Sequence, residues 1–597
     1  MIRKLLEKEI LEALVKAGIA NVAADITRTD PKFGDFTTNV SLKIAKATKG
    51  PEGVNGSKVK KNPSLDIYQS PMEFARILAD SLQKSSLIKK LEVKEPGFIN
   101  FWIHEKIWQK EVEELLKKRV FETDFSHKKV IVEFTDPNPF KEFHIGHLYS
   151  NSVGEAISRL FEAVGANVKR ANYQGDVGMH VAKSIWGMRE KVKSQKSKVK
   201  SLEGKPLKER IKFLGEAYAV GAKAFEEDAK AKEEITGLNK EIYEKGEAME
   251  EYRLGKKWSL EHFEEIYARL GTKFDFYYFE SEVGGYGAKL VHEYLGSVFE
   301  ESEGAIIFPG EKYGLHNRVF INSLGLPTYE AKELGLAPRK FEDFEYDVSV
   351  IITGNEINEY FKVLLSALSQ IAPNLAEKTK HIGHGMVRMP AGKMSSRLGN
   401  VLSGEWLLDE AKKKAKKVVD EKGLVSDLED LAETVAVGAV KYSLLKNNIG
   451  QDTKFSFEES ISLEGNSGPY LQYTHARCRS VLEKAIGNRP AEGEVRKWRQ
   501  KAKVYDWTDL SAEEDLLLRA LGHFEDVVVA CAKNFSPSSV AGFLFEVAQK
   551  YNLLYNNLPI LKAGAEQSAR RLFLTRSTAE ILKRGLNLLG INAPDKM

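Results

Sequence analysis

Cysteine is scarce in this sequence, which holds only Cys478 and Cys531 in 597 residues. Because no CxxC pair exists, a structural zinc built on thiolates is not expected. No residue of the sequence is singled out as a metal ligand. No uninterrupted apolar run is long enough to cross a membrane. The start, MIRKLLEKEILEALVKAG, has no apolar signal core and no cleavage site. We therefore expect a cytoplasmic protein without a membrane partner.

Charge of either sign is not in large excess, since the formal net charge is +4. Net charge alone therefore does not indicate a nucleic-acid-binding protein. A large protein with a local basic face could bind nucleic acid and still have a net charge near zero. Apolar residues make up 42% of the chain, which is typical of globular protein. The length predicts roughly three to five domains.

The first segment, residues 1–105, predicts a small α/β domain. Apolar residues recur at helical spacing between Ile2 and Leu14. Residues 49–68 carry Gly, Lys, Ser and Pro, a composition typical of an exposed loop. A helix near 72–83 and a strand at FINFWI complete the unit.

The second segment, residues 125–404, predicts a doubly wound parallel sheet of the Rossmann-like α/β kind. A buried strand at Val130–Phe134 is followed by a proline-broken loop and a helix with one apolar face. NVKRANYQGD then predicts the next strand, which completes a strand–loop–helix–strand unit. Strand-like runs return at 304–308 and 347–352.

The remaining stretches predict insertions and a helical tail. Lys-, Ser- and Glu-rich stretches near 185–300 indicate surface insertions in the α/β domain. Residues 405–465 predict a connecting helical segment. Residues 466–597, with periodic Leu, Ala and Val, predict an all-α domain.

Two histidines stand where the predicted strand 130–134 gives way to a helix, in the run FHIGH at 143–147. A helix N-terminus offers free backbone N–H groups and a positive dipole end, which favour phosphate. His144 and His147 lie on one helical face and can donate hydrogen bonds to phosphate oxygens. The alternative is a pair of satisfied surface histidines. The same tetrad recurs at 381–384 without an amphipathic helix, and there we expect a plain strand with structural histidines.

A second motif, GKMSSRLGN at 392–400, combines flanking glycines with an ammonium, two hydroxyls and a guanidinium. Such a loop can close over a triphosphate and neutralise pyrophosphate as it leaves. Alone, it would be taken for a solvated turn. Because it follows the first motif within one parallel α/β frame, the phosphate interpretation is favoured.

Together these motifs resemble the HIGH and KMSS elements of the class I aminoacyl-tRNA synthetases. Further sequence runs are similar to those of the arginyl-tRNA synthetases. They occur in the same order and cover essentially the whole chain. The matching runs are FGDFTTN, EFTDPNPFKEFHIGHLYSNSVGEAISRL, GDVG, KMSSRLGN, EGNSGPYLQYTHAR and LNLLGINAPDKM. The resemblance implies an ATP- and Mg²⁺-dependent ligase that joins L-arginine to tRNA(Arg) through arginyl-adenylate, releasing AMP and pyrophosphate.

The resemblance also assigns an ATP site. Its residues would be His144, Gly146, His147, Lys393, Ser395 and Ser396. The two histidines would stabilise the α-phosphate in the transition state, and Lys393 would hold the β- and γ-phosphates. Related enzymes often carry a lysine where Ser396 stands; arginine enzymes often place it before HIGH instead, where Lys141 fits as a catalytic residue or as an exposed loop lysine.

Arginine selection calls for a carboxylate and an aromatic face. Tyr329 and Glu333 are four residues apart, on one face of a helix, and match a tyrosine and an aspartate of the family. Glu133 and Asn138 match residues that hold the α-amino and carboxylate ends of the substrate. Ile357 stands where the family often has glutamine. Each could instead be an ordinary helix, strand-end or turn residue.

Contacts with tRNA are expected mainly in the helical tail, which resembles an anticodon-binding domain, and in the amino-terminal domain, which resembles one that contacts the outer corner of tRNA. Splayed loop bases stack on aromatic rings, and phosphates favour cations. The candidates are Tyr470, Tyr473, Arg477 and Tyr551, with Tyr555 and Lys441. The basic run 191–208 could touch phosphates or form a solvated insertion. Asp176, in GDVG, could touch substrate or shape a turn.

Three alternatives stay open at this point. One is a synthetase for lysine or cysteine, although cysteine enzymes usually rely on zinc. Another is an inactive tRNA-binding paralogue, which the retention of His144, His147 and Lys393 disfavours. The third is a small nucleotidyltransferase, which would not need residues 405–597. We expect a monomer that requires tRNA before it activates arginine.

Overall fold

The computed structural model describes residues 2–19, 22–49, 70–194, 198–389, 403–420, 428–487 and 507–597. The chain forms two compact units, each assembled from separate stretches. The smaller unit comprises Met1–Arg119, Arg477–Val527 and Phe545–Leu582. The larger unit comprises Val120–Ala476, Val528–Leu544 and Lys583–Met597. None of the helices in the described ranges combines the length and apolar composition needed to span a bilayer.

The larger unit is built on a sheet of five strands, all parallel. Across the sheet the strands are Thr379–His384, Val348–Gly354, Lys129–Glu133, Asn167–Gln174 and Phe276–Phe279. In chain order this is 5-4-1-2-3, so the direction of winding reverses between the first and fourth strands. Such a switch point opens a crevice at the carboxyl ends of the strands. The predicted Rossmann-like fold is confirmed.

The helix Ile145–Ala163, called here the site helix, follows the first strand. It packs tightly against Phe134, the residue after that strand. Gly154 permits this approach, because a Cβ there would lie 2.1 Å from Cγ of Phe134. Ser150 adds a polar tie, accepting from the backbone N–H of Thr135 and donating to the carbonyl of Ile352, each at 2.9 Å. The start of the site helix is thereby held over the switch point.

Two insertions interrupt the sheet. The first, between its second and third strands, consists of the helices Met179–Ser194, Leu207–Glu227, Ala229–Lys245 and Glu250–Leu270. These helices share their own hydrophobic core, which Phe140 joins. The second insertion holds the antiparallel strands Glu300–Ser302, Ala305–Phe308 and Arg318–Ile321, flanked by the helices Glu280–Glu293 and Tyr329–Asp343.

Helices cover the rest of the larger unit. They are Asn358–Ile371, Pro373–Lys378, Gly404–Asp420, Leu428–Leu445 and Phe457–Ser460, with the first part of Gly468–Ile486. The short strands Val387–Arg388 and Thr453–Lys454 pair in parallel. The last residues of the chain are held by buried side chains: Lys441 donates to the carbonyl of Gly590 at 2.9 Å, and Gln472 to that of Asn592 at 2.7 Å.

The smaller unit joins the amino-terminal α/β segment to helices of the tail. Its antiparallel strands are, in order, Ile26–Arg28, Phe36–Thr38, Phe98–Ile103 and Ile88–Lys94, and its amino-terminal helices are Ile2–Lys16, Val40–Lys49, Pro71–Leu82 and Glu105–Lys117. The tail helices are Ala512–Gly522 and parts of Phe524–Asn534, Pro537–Asn557 and Ala565–Leu588. Arg519 links the two parts, because its guanidinium pairs with buried Asp35 and with Glu105. The predicted α/β and all-α portions are therefore both present.

Candidate active site

The candidate site lies at the carboxyl ends of the two strands that flank the switch point. Glu133 is the last residue of one of them, and His144 caps the helix that follows it. The other strand ends at Gly354, and the negative charge of nearby Glu356 acts on His144. Ligands of open parallel sheets bind at this position.

Two histidines cap the site helix reciprocally. Nδ1 of His144 accepts a hydrogen bond from the backbone N–H of Gly146, and Nδ1 of His147 accepts one from the backbone N–H of His144, both at 3.1 Å. Their rings stack with centroids 3.5 Å apart. The first free N–H groups of a helix need such acceptors, so each ring is fixed in position by the helix itself.

This capping determines which nitrogen of each ring carries a proton. A backbone N–H can only donate, so Nδ1 of both rings must be unprotonated. Burial and the charge of nearby Lys141 lower the pKa of His144, and the same effects lower the pKa of His147 further. Both imidazoles are therefore neutral at pH 7 and carry their proton on Nε2, which remains as a hydrogen-bond donor.

Gly146 makes room for this arrangement. A Cβ at that position would lie 2.9 Å from Cε1 and 3.0 Å from Nδ1 of the His144 ring. Any side chain there would push the ring away from the backbone N–H that it caps. The glycine is thus needed for the geometry of His144, whatever else lies against it.

Lys141 lies just before the capping histidines. Although the side chain is partly exposed, desolvation and the charge of Lys183 lower its pKa. Its ammonium group is close enough to lower the pKa of both capping histidines. The lysine therefore contributes positive charge to the mouth of the site.

Lys393, Ser395 and Ser396 lie outside the described residues. The described chain on either side of them lies beside the site helix. On the carboxyl side, Ser403 bridges to His144 and the N–H of Gly404 donates to the carbonyl of Phe143 at 2.8 Å.

On the amino side of the same segment, the ring of His384 lies 4.5 Å from that of Tyr149, a residue of the site helix. This histidine belongs to the second HIGH tetrad, which forms the strand Thr379–His384, as predicted. His381 stacks on Phe361 at 3.8 Å and bonds to the hydroxyl of Thr353 at 2.7 Å. Both histidines of this copy are thus held by packing and hydrogen bonds.

A group of carboxyl groups lies around the end of the first strand, whose last residue is Glu133. Glu133 and Lys340 form an ion pair with Nζ and Oε2 2.5 Å apart, and both side chains are 2% exposed. Glu333, two turns earlier on the helix of Lys340, is also buried. Burial and the charge of Glu133 raise the pKa of Glu333 to about 8. The same causes raise the pKa of Asp136 well above its ordinary value.

A second buried ion pair borders this group. Nζ of Lys332 lies 2.6 Å from Oε2 of Glu280, with both side chains 4% exposed. The ammonium group also lies over the rings of Tyr329 and Tyr243, 5.0 and 5.4 Å from their centroids. The candidate aromatic face, Tyr329, is 57% exposed, so it lies at the protein surface beside this pair.

Tyr173 lies among the carboxyl groups. Burial, together with the charges of Glu280, Glu333 and Glu133, raises its pKa, and its hydroxyl is buried without a hydrogen-bond partner in the described chain. Its backbone N–H donates to Asp136 at 2.7 Å. Sequence reasoning missed Asp136, Glu280, Lys332, Lys340 and Tyr173. The available signal for Lys340 was its spacing, two turns from Glu333 on one helical face.

Asn138 and Asp176 have backbone-supporting contacts. Oδ1 of Asn138 accepts from the N–H of Gly175 at 3.1 Å, within a loop where Thr135 and Asp136 have φ of 79° and 46°. Asp176 is fully buried and accepts from Tyr252, Lys256 and Ser281. Those bonds indicate a structural role for Asp176. Such φ values are unfavourable for non-glycine residues and cluster at functional sites.

Ile357 and the basic run 191–208 are two further positions that the sequence singled out. Ile357 closes a short 3₁₀ turn after the fourth strand and is 36% exposed. Within the basic run 191–208, Lys191 pairs with Glu216 at 2.7 Å and Lys205 with Glu209 at 3.5 Å. That run is therefore partly neutralised by its own insertion.

The tRNA candidates fall in both units. In the larger unit Tyr470 and Tyr473 are half-buried, whereas Lys441 is 0% exposed and donates to backbone carbonyls. In the smaller unit Arg477 donates to Asn552 at 2.6 Å and lies 5.0 Å from the ring centroid of Tyr555, which is 40% exposed.

Tyr551 is 0% exposed. In this structure its ring belongs to the core of the smaller unit and offers no face to a base. Lys441, in the larger unit, is also buried, and its ammonium group donates to two backbone carbonyls. Of these candidates, Arg477 is half-buried and Tyr555 is exposed.

Within the described ranges, no group of three or more His, Cys, Asp or Glu side chains has the arrangement of a metal site. The described site offers imidazole donors at a helix N-terminus, a lysine just before them, and a cluster of carboxyl groups at the end of the first strand. A switch-point crevice of this kind, with HIGH at the helix N-terminus, defines the catalytic domain of a class I aminoacyl-tRNA synthetase.

Comparison with protein families specifies the type. Residues 111–457 match the tRNA synthetases class I (R) catalytic domain, residues 2–103 the arginyl tRNA synthetase N terminal domain, and residues 471–597 the DALR anticodon binding domain. The chain therefore belongs to the arginyl-tRNA synthetase family.

Individual relatives are similar over most of the chain. The arginine–tRNA ligase of Treponema denticola is 33% identical over 78% of this chain and 79% of its own length. That of Fusobacterium nucleatum is 30% identical over 95% and 94%. The structure of Thermus thermophilus arginyl-tRNA synthetase superimposes with a TM-score of 0.78 and 25% identity, covering 100% of both chains.

Proposed function

We propose that this chain is an ATP-dependent ligase that joins L-arginine to tRNA(Arg) through arginyl-adenylate, releasing AMP and pyrophosphate. The observation that carries the choice of arginine is the cluster of carboxyl groups at the end of the first strand. Glu133, Asp136, Glu280 and Glu333 supply four carboxyl groups against the two ammonium groups of Lys332 and Lys340. A pocket with this excess of acid favours a cationic substrate side chain.

Glu333 is the proposed partner of the guanidinium group. Burial and neighbouring Glu133 raise its pKa to about 8, the behaviour of a buried carboxyl that lacks a counter-charge. A guanidinium group supplies that charge and fits a carboxylate through two parallel hydrogen bonds. Lysine would supply a single point charge instead, so the pocket favours arginine over lysine.

The amino acid's main-chain groups are proposed to meet Glu133 and Asn138. The Glu133 carboxylate suits the α-ammonium group, and the side-chain amide of Asn138 suits the substrate carboxylate. Tyr329, at the protein surface, is proposed to cover the aliphatic part of the substrate. These roles follow the family pattern, and the ion pair with Lys340 holds the Glu133 carboxylate at the end of its strand.

In the activation step an oxygen of the arginine carboxylate attacks the α-phosphorus of ATP. The new O–P bond forms as the bond to pyrophosphate breaks, and the electron pair leaves with pyrophosphate. Nε2–H of His144 and of His147 donate to α-phosphate oxygens as charge builds on them, which is where fixed donors lower the barrier most. Gly146, Ser395 and Ser396 are proposed to bind ATP alongside them.

Two lysines complete the proposed phosphate site. Lys393 is proposed to neutralise the β- and γ-phosphates, and Lys141 adds positive charge at the cleft mouth. Mg²⁺, which prefers phosphate oxygens and water to a dedicated protein cage, would neutralise the same phosphates when bound with ATP. No residue of the described chain is assigned to hold it.

Transfer follows when the terminal ribose hydroxyl of tRNA attacks the carbonyl carbon of arginyl-adenylate and AMP leaves. We propose residues 1–105 as the domain that contacts the outer corner of tRNA, 125–404 as the catalytic domain and 405–465 as the connection. Residues 466–597 are proposed to bind the anticodon, with Tyr470, Tyr473 and Arg477 as contacts. The enzyme is proposed to act as a cytoplasmic monomer.

The proposed function is tested by ATP–pyrophosphate exchange. We expect exchange that requires both arginine and tRNA(Arg), with lysine and cysteine inactive. Exchange supported by lysine or cysteine would assign a different amino acid. No exchange with any amino acid, at full tRNA binding, would indicate an inactive paralogue.

A further inference from the structure

Lys340 is a fully buried cation that no motif of the sequence singles out. It lies on the helix Tyr329–Asp343, and its Nζ is 2.5 Å from Oε2 of Glu133. Each of the two side chains is 2% exposed. The pair joins the end of a sheet strand to the helix that also carries Glu333.

The ion pair engages one oxygen of Glu133. Oε2 accepts from Lys340, whereas no group in the described part of the chain donates to the other oxygen, Oε1. A carboxylate held in this way has a fixed plane and one oxygen left to accept. The end of the first strand faces the switch-point crevice, where the substrate is proposed to bind.

Lys340 also brings positive charge to a cluster of carboxyl groups. The nearby carboxyl groups of Glu333 and Asp136 both feel the negative charge of Glu133. The ammonium group of Lys340 offsets part of this repulsion where it meets Oε2 of Glu133.

We propose that Lys340 is a positioning residue for amino-acid recognition, which holds Oε2 of Glu133 so that Oε1 meets the α-ammonium group of the substrate. This inference rests on the proposed arginine site and adds a residue to it. Lys340 itself does not touch the substrate. Its effect is therefore confined to the part of the substrate that Glu133 contacts.

The preference of the enzyme for a substrate with an α-ammonium group is therefore the quantity to measure. A lysine with a purely structural role would not change that preference. Desamino-arginine keeps the guanidinium and the carboxylate of arginine but lacks the α-amino group. It can be activated by ATP in the same way, so the ratio of kcat/KM for the two acids isolates the contact with the ammonium group. One charge-assisted hydrogen bond predicts a preference of about 10- to 100-fold for arginine in the unaltered enzyme.

The experiment measures tRNA-dependent pyrophosphate exchange with both acids for the full-length enzyme and two variants. We expect Lys340→Met to reduce the preference for arginine to below about five-fold, since most of one charged hydrogen bond is lost. Lys340→Arg keeps a cation against Glu133 and should keep a preference of about ten-fold or more. The KM for ATP should change little in either variant.

Lys441→Met is the matched control, because Lys441 is another fully buried lysine of the same unit and bonds only to backbone carbonyls among the described residues. It should lose stability, as Lys340→Met does, yet keep the unaltered preference. Active-site titration corrects all rates for the folded fraction. An unchanged preference in folded Lys340→Met, or equal losses for both acids, would overturn the proposal. Failure of the unaltered enzyme to use arginine would instead count against the proposed function.

Discussion

The backbone N–H of His144 donates to Nδ1 of His147, and the ring of His144 in turn caps the N–H of Gly146 two residues on. Each imidazole therefore accepts a hydrogen bond from a backbone N–H at the start of the site helix through its own Nδ1. Each also keeps Nε2–H as a donor. The same two histidines thus form the helix cap and supply the proposed phosphate donors. Changes to either histidine should affect both helix stability and activation.

Removing one of these donors should slow activation far more than it weakens ATP binding. We expect His147→Ala to lower kcat for pyrophosphate exchange by about 10²- to 10³-fold, the usual effect of losing one transition-state donor. The KM for ATP should change much less, because the donor acts mainly on charge that develops during the reaction. Steady-state exchange kinetics at saturating arginine and tRNA provide the measurement.

The second tetrad offers a control of the same sequence. His381→Ala removes a ring that stacks on Phe361 and bonds to Thr353. It should destabilise the fold by about 1–3 kcal/mol and leave kcat of the folded fraction unchanged. A comparable loss of kcat in both variants would remove the distinction between the two copies.

Gly146→Ala should disturb the site through His144. The added methyl group would lie within 3 Å of that ring, so the ring must move and release the N–H that it caps. We expect a loss of about 1 kcal/mol in unfolding free energy and a fall in kcat of about ten-fold or more. Chemical denaturation and exchange kinetics test the two effects together.

Gly237→Ala is the matched control for that substitution. Gly237 is an exposed helix residue, and a Cβ added there would meet nothing within 4 Å apart from its own helix. Alanine should raise the unfolding free energy by up to about 1 kcal/mol and leave kcat unchanged. If Gly146→Ala behaved in the same way, the ring of His144 would not need the space.

Glu333→Gln should weaken arginine use selectively. The change keeps the shape of the side chain but removes the negative charge proposed to meet the guanidinium. We expect kcat/KM for arginine to fall by about 10²- to 10³-fold, as for the loss of one partner in a buried charge pair. The KM for ATP should stay within about three-fold, because uniform binding of ATP is untouched.

The use of arginine should also depend on pH through Glu333. Its pKa is raised from 4.5 to about 8, so the pocket of the free enzyme holds a proton in this interval that the unfolded chain has released. Stability of the free enzyme should therefore fall as pH rises from 4.5 towards 8. Arginine must displace the proton, so its kcat/KM should rise with pH, by at most about ten-fold per unit, and level off near 8.

Exchange rates at low arginine concentration between pH 6.5 and 9 test this dependence. The matching profile at low ATP and saturating arginine serves as the internal control, since Glu333 is not assigned to ATP. A flat arginine profile below pH 8 would show that Glu333 is already ionised in the free enzyme.

The parallel sheet could be predicted from sequence because short β-branched runs and amphipathic stretches are typical of buried strands and their covering helices. The position of the switch point became known only from the strand order. The two HIGH copies show how local context decides structure. His144 begins a helix because an apolar helical face follows it, whereas His384 ends a strand that pairs with Val348–Gly354. Identical tetrads thus adopt different secondary structures, according to the residues around them.

The pocket was only partly predictable, for a physical reason. Glu133 and Lys340 are 207 residues apart in sequence, and nothing in local periodicity marks a lysine as buried. A buried ion pair forms only in the tertiary structure, so the local sequence around either partner does not predict it. Burial also removes candidates chosen by residue type, such as Tyr551 and Lys441, because aromatic and basic residues occur in cores as well as on binding surfaces.

The most direct test of the arginine assignment is aminoacylation of total tRNA with each standard amino acid in turn. A site with surplus carboxyl groups and with neutral, helix-capping imidazoles predicts stable charging with arginine and background levels with every other amino acid, including lysine. Charging with lysine or cysteine at a rate equal to that of arginine, or no charging at all by the folded enzyme, would contradict it.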